Sequence, residues 1–252
     1  LLVSDSMLEG FFGGDKAKWI AAAYTLKARF YLHQKNYASA FTAAQNGISS
    51  ASGDMKYNPP GAAGSGDRNL FWTILEGSRG GDIGNSDQGE SYLIQMLDPA
   101  NALSRNNAKT DETARKGFYT IDSSGGSANT GILEMTQPQN MVTYFENQLI
   151  LAECAARNGT MADGLPYLNA VRSWMNTGAH VNSNFQGEPY SYLAYDAADF
   201  ASGGIENADG VDSKTAFLRE VIEERYVSGF GMHMPYNDSR RLRKSDSNIA
   251  VP

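Results

Sequence analysis

Cysteine occurs once in the 252 residues, at Cys154. One thiol closes no internal disulfide and builds no cysteine cluster for a metal. Its alanine-rich helical surroundings predict a buried, inert thiol rather than a nucleophile. Histidine is nearly as scarce, and His33, His180 and His233 share no ligand spacing. Positive charge is short as well: 21 Lys and Arg against 28 Asp and Glu leave a formal charge of −7. With no basic field to displace counterions, a nucleic-acid partner is excluded. No run is long and apolar enough to span a bilayer. Leu1-Leu2-Val3 lacks the basic start and long apolar centre of a signal peptide. The glycine-rich stretch from Gly77 to Gly84 has neither the GxGxxG nor the Walker spacing, and no Gly-x-Ser-x-Gly elbow occurs. Asn207 to Asp212 hints at a calcium loop. With Gly210 at the loop glycine, however, Ile205 would replace the first acid and Ala216 the last, so an EF-hand fails. No cofactor and no metal is expected.

What is present begins with two helices packed back to back, from Trp19 to Ser50. Trp19, Ala22, Ala23, Leu26 and Phe30 step by three or four, which predicts one buried helix face. Asp15 is the expected N-cap. Gln34-Lys35-Asn36 reads as a polar turn with Asn36 as its left-handed residue. Tyr37, Ala40, Phe41, Ala44 and Ile48 then repeat the helical step. Ala28, Tyr31, Ala40 and Ala44 match the small-aromatic-small pattern of a tetratricopeptide (TPR) helix pair, in which alanines let two backbones approach closely. An ordinary helical hairpin is the alternative.

Further on, Ala51 to Asp67 is a Gly/Pro/Ser-rich loop. Asn69 to Glu76 reads as a short strand or a helical turn, and Tyr92 to Leu97 as a short apolar run. Gly117 to Ile121 and Ile132 to Met135 are small strand candidates. Tyr144 to Arg157 is a second strong helix closed by Asn158-Gly159, with Leu165 to Trp174 as its antiparallel partner. At a constant offset Ala28 falls on Ala152, Ala40 on Gly164 and Ala44 on Leu168, a degenerate internal repeat. Residues 176–211 form a long loop rich in Asn, Gly and Tyr, and loops of that length are usually functional. Thr215 to Tyr226 is a third helix, capped by Asp212 or Ser213. The fold class expected is mainly α, a TPR-like helix-pair scaffold with long irregular loops and a few short strands. One domain over 1–252 is expected, with helix pairs near 16–50 and 143–175, loop-rich ligand regions at 51–142 and 176–211, and a late helix at 212–227.

Five segments carry a family likeness. Tyr24-Thr25-Leu26-Lys27-Ala28-Arg29-Phe30-Tyr31-Leu32-His33 followed by Tyr37-Ala38-Ser39-Ala40 resembles the first helix pair of SusD/RagB proteins. Tyr144-Phe145-Glu146 through Glu153, Arg157 and Gly159 resembles the family's "YxExxLIxAEAxARxG". Leu168-Asn169-Ala170-Val171-Arg172 matches its "LNxVR". Phe217 to Arg225 resembles its late "ExIxxER" helix, and Tyr236-Asn237-Asp238-Ser239-Arg240-Arg241 resembles a degraded "RWxDLxR". The segments fall in the family's order. The family's first helices and lipoprotein leader are absent, so the chain is expected to be the middle and later part of such a protein. The resemblance implies a non-catalytic lipoprotein on the outer face of the outer membrane, typical of Bacteroidota. It would bind oligosaccharides or polysaccharides and pass them to a SusC-like, TonB-dependent transporter, meeting the membrane only through a lipid anchor. Some relatives capture peptides instead.

Sugar capture needs flat aromatic faces for the apolar side of a pyranose and planar polar groups for its hydroxyl rim. Trp72, Arg79, Asp82 and Tyr92 lie within one loop region and supply both kinds. Tyr57, Tyr119, Tyr190, Tyr192 and Tyr195 are further aromatic candidates. Burial tendencies favour core packing for any single large aromatic, Trp72 included, and Trp174 reads as packing. A helical glycoside hydrolase would need two carboxylates across a cleft. Glu220 and Glu224 instead share one helix face, and a solvated face with Arg219 pairing to Glu223 is the expectation. A TPR-type protein- or peptide-binding module is the other alternative. The basic run Arg240 to Lys244 suits a protein contact or a solvated helix end better than nucleic acid.

Overall fold

Asp15 starts the scaffold. Its carboxylate accepts from the backbone N–H groups of Ala17 and Lys18, and helix α1 follows over Lys16–His33. A capping oxygen satisfies donors that the first turn leaves over. In this computed structural model the residues described are 10–60, 68–77, 80–87, 89–243, 246, 248–249 and 252. The left-handed residue of the following turn is Lys35, with φ 58°, and not Asn36. Asn36 instead caps helix α2 (Tyr37–Ala44), accepting from the N–H of Ser39. Its side-chain oxygen is worth more on an orphan donor than its tolerance of positive φ.

The described residues fall into two compact units. The first takes the chain up to Lys56, Asn140–Val171 and the chain from Tyr195 onward. Here the buried stripe of α1 is Ala22, Thr25, Ala28 and Leu32. Of the residues expected to face inward, Ala23 and Phe30 are exposed and Leu26 is half-buried. The stripe is rotated because the packing runs through small side chains. Ala28, Ala40, Ala43 and Ala44 share one buried cluster with Leu32, Ile150, Leu151 and Cys154. Ile150, Leu151 and Cys154 belong to α6 (Tyr144–Asn158), which is capped by Thr143 and buried from Phe145 to Ala156. A helix buried on every side has no solvated face, so each polar group it carries needs a protein partner. Asn147 shows how: its amide donates to the carbonyls of Ala44 and Ile48, and its oxygen accepts from the Thr25 hydroxyl. A Cβ on Gly47 would clash with that oxygen, so the knot leaves room only for glycine there.

Helix α7 spans Met161–Met175, starting one turn before the expected Leu165. Asp163 reaches back to accept from the N–H and hydroxyl of Thr160, in the manner of a capping box, and this moves the start upstream. The repeat offset has a physical meaning. A Cβ on Gly164 would lie 2.5 Å from the carbonyl oxygen of Ala152, so the two repeat positions are in direct backbone contact. Helix α8 (Ser213–Ser228) is capped by Asp212, and α9 (Met234–Leu242) follows. The pairing of β1 (Met55–Tyr57) with β3 (Gln139–Val142) adds one small sheet.

The second unit comprises Tyr57–Gln139 and Arg172–Ala194. Its elements are short: helices α3 (Leu70–Glu76), α4 (Tyr92–Leu97) and α5 (Thr113–Tyr119), and the antiparallel pair β2 (Thr110–Asp111) and β4 (Ser191–Tyr192). Neither strand expected at Gly117–Ile121 nor that at Ile132–Met135 forms. The first is largely the end of α5, whose helical turn lets Arg115 reach Glu112 three residues back. The second is a series of turns. Buried asparagines pin the loops between these elements. Asn69 accepts from Phe71 N–H and donates to the carbonyls of Ile132 and Gln137. Asn85 accepts from Ile121 and donates to Tyr119, and Asn129 closes the Asp122 turn in the same two-way fashion.

Candidate functional site

Three of the segments that carry the family likeness, on α6, α8 and α9, meet inside the first unit as a buried ion network, while Arg172 of a fourth donates to the carbonyls of Leu193 and Lys109. Glu153 of α6 receives both terminal nitrogens of Arg241, each at 2.6 Å, and Nε of Arg157 at 2.8 Å. Arg241 also donates Nε to Asp238 at 2.7 Å, and Arg225 of α8 donates Nε to the other Asp238 oxygen at 2.7 Å. Arg157 continues outward to Asp246, with its guanidinium stacked 4.6 Å from the Tyr37 ring centre. Burial alone would push the Glu153 carboxyl up. Arg241, Arg157 and Arg225 outweigh it and hold the group at about 2. The motif residues Glu153, Arg157, Arg225, Asp238 and Arg241 thus tie α6, α8 and α9 together, and most of them are buried. Glu146 of the same motif pairs with Arg29 of α1. Cys154, beside Glu153, is buried, and burial followed by that neighbouring charge pushes its thiol well above its ordinary value.

Glu220 and Glu224 are buried on α8 rather than solvated. Arg219 pairs with Asp209, and Glu224 accepts from the Ser228 hydroxyl. The inward turn of these acids follows from the burial of most of α8. Among the described residues no cluster of His, Cys, Asp or Glu could hold a metal ion.

The expected glycan residues separate by exposure. Tyr92 opens α4, capped by Ser91, and is 44% exposed. Tyr57 is 36% exposed. Asp82 is exposed at the end of a 3-10 turn (Gly80–Asp82) that packs against α3, the helix carrying Trp72. Trp72 is half-buried: the Arg68 guanidinium lies 4.7 Å from its ring centre, and a Cβ on Gly126 would touch its indole nitrogen at 2.5 Å. Arg79 lies outside the described residues. Trp72 and Asp82 therefore sit on adjoining elements, while α4 with Tyr92 packs on α5.

Three other tyrosines are corrected. Tyr119, Tyr192 and Tyr195 are 6%, 1% and 3% exposed, which removes them as stacking platforms. Tyr192 gives its hydroxyl to Glu112, and the same carboxylate holds Arg105 and Arg115. This second buried network belongs to the second unit and lies within stretches that read as loop. Tyr195 gives its hydroxyl to Glu206 and packs edge-on against Phe200. The planar amides expected at a sugar rim are partly spent too, because Asn69, Asn85 and Asn129 are buried on their own backbone.

No family model matches the chain, and no curated protein matches it. Among solved structures, one described as a SusD/RagB family protein from Bacteroides thetaiotaomicron is similar, with a TM-score of 0.53 at 17% identity. The match covers 96% of this chain and 56% of that one, so the chain spans little more than half of that structure's length. At this identity the likeness is one of architecture, and its conclusion is that this chain has the mainly helical fold of a SusD/RagB protein.

Proposed function

We propose that this chain is part of a non-catalytic SusD-like glycan receptor that binds oligosaccharides or polysaccharides for uptake. In this reading it belongs to a lipid-anchored protein on the extracellular face of the outer membrane, and it delivers cargo to a SusC-like, TonB-dependent transporter. The observation that carries the reading is the convergence of Glu153, Arg157, Arg225, Asp238 and Arg241, from three of the ordered motifs, on one buried network within a SusD/RagB fold. A network of that kind holds a scaffold and leaves the loops to bind. Among the described residues no helix is long and apolar enough to cross a membrane.

The loop site in this proposal draws on Trp72 and Asp82, on adjoining elements, and on Tyr92 of α4, with Tyr57 and Arg79 as further contacts. Tyr92, 44% exposed, offers aromatic surface to a pyranose, and Asp82 offers carboxylate oxygens to its hydroxyls. Affinity electrophoresis against plant, host and microbial polysaccharides tests it. Retardation by at least one glycan, weakened about tenfold by Tyr92→Ala, is the expected result. Retardation that both Tyr92→Ala and Trp72→Ala leave unchanged would remove this site. The absence of retardation across the panel would turn the reading toward a peptide cargo.

A further inference from the structure

The first unit carries a second surface that fits a ligand. An open groove of about 470 Å³ runs between α1 and α2, lined by Tyr24, Lys27, Tyr31, Ser39, Thr42 and Asn46. We propose that this groove binds a carboxylate-bearing oligosaccharide, with Lys27 on the carboxylate of one residue and Tyr24 and Tyr31 under the sugar rings on either side of it. The inference goes beyond the loop site and does not depend on it.

The α1 side supplies charge and flat surface. Tyr24 and Tyr31 are seven residues apart, two helical turns or roughly 10.5 Å along the axis. Lys27 stands between them, its ammonium 6.0 Å from one ring centre and 5.9 Å from the other. Among the described residues no carboxylate pairs with Lys27, and neither tyrosine hydroxyl has a hydrogen-bond partner. On a chain of net charge −7, an unpaired cation held between two rings is complementary to an anion.

The α2 side supplies acceptors. The Thr42 hydroxyl donates to the Ala38 carbonyl, and the Asn46 amide donates to the Thr42 carbonyl. The Thr42 lone pairs and the Asn46 side-chain oxygen remain for donors from a ligand, and sugar hydroxyls are such donors. An acidic peptide fits less well. Both walls are helical, so their backbone groups are satisfied internally and offer an extended chain nothing to pair with. A single lysine also suits one carboxylate set among hydroxyls better than a run of acids.

Calorimetry with tri-galacturonate, its fully methyl-esterified form and a short Glu/Gly peptide tests the assignment at low and at physiological salt. The expected result is binding of the acid that weakens with salt, with the ester roughly tenfold weaker. Lys27→Gln should bring the acid down to the level of the ester, Lys27→Arg should retain binding, and Tyr24→Ala should weaken both forms. Lys27 and Tyr24 are both exposed, so unfolding midpoints should stay unchanged. Equal binding of acid and ester, indifference to Lys27→Gln, equal or tighter binding of the peptide, or no binding would each overturn the assignment. Tyr92→Ala separates the two sites, because loss there with Lys27→Gln silent overturns the groove and leaves the loop reading intact.

Discussion

Glu153 is the residue on which the scaffold turns. Its carboxyl is held at about 2 against an ordinary 4.5. A folded-state value below the unfolded one means that the carboxylate stabilises the protein above about pH 4.5 and that this contribution is lost as pH falls toward 2. Glu153→Gln leaves Arg241 and Arg225 buried with less compensation. It should cost about 3–5 kcal/mol at neutral pH. Urea unfolding from pH 7 down to pH 2 checks both points: the wild type should lose stability over the acid range, and the variant should lose less of it. A variant as stable as the wild type at pH 7 would contradict the role. Cys154 gives a second residue-scale prediction. With its thiol buried and its pKa pushed up, a thiol reagent should label it only as fast as the protein opens. Rapid labelling of the native chain would show that the α2–α6 cluster is not packed as described.

At the scale of elements, the glycines discriminate between local propensity and packing. Gly164 lies inside α7, where alanine is ordinarily better by up to about 1 kcal/mol. Here a Cβ would meet the Ala152 carbonyl oxygen at 2.5 Å and the Phe217 ring at 2.7 Å. Gly164→Ala should therefore destabilise by about 1–3 kcal/mol, measured by chemical denaturation, and a gain in stability would refute the close helix contact. The strong helices were legible because period and caps agreed: Asp15 and Asp212 cap where the sequence places them, and Thr143 caps α6 one residue before its expected start at Tyr144. The buried face of α1 was read one step around the helix, because large residues such as Phe30 drew the periodicity while Thr25 and Ala28 make the contacts. The short elements of the second unit were poorly legible. Their order comes from Glu112, Asn69 and Asn85 bonding to residues distant in sequence, and no local pattern encodes those pairings. The same cause misled the choice of aromatics. Tyr192 sits in a segment that reads as polar loop, and its bond to the distant Glu112 is what makes it a core residue.

At the scale of the whole molecule, the account assigns binding to side chains outside the buried networks and leaves those networks to hold the fold. The most direct measurement is a calorimetric titration of the intact chain with the polysaccharide that retards it most, with reducing ends assayed in the same sample. The account predicts saturable heat of binding, a loss of about tenfold in affinity for Tyr92→Ala, and no rise in reducing ends over the titration. Release of reducing sugar by the wild-type chain would contradict it, because a receptor that only delivers its glycan leaves every linkage intact.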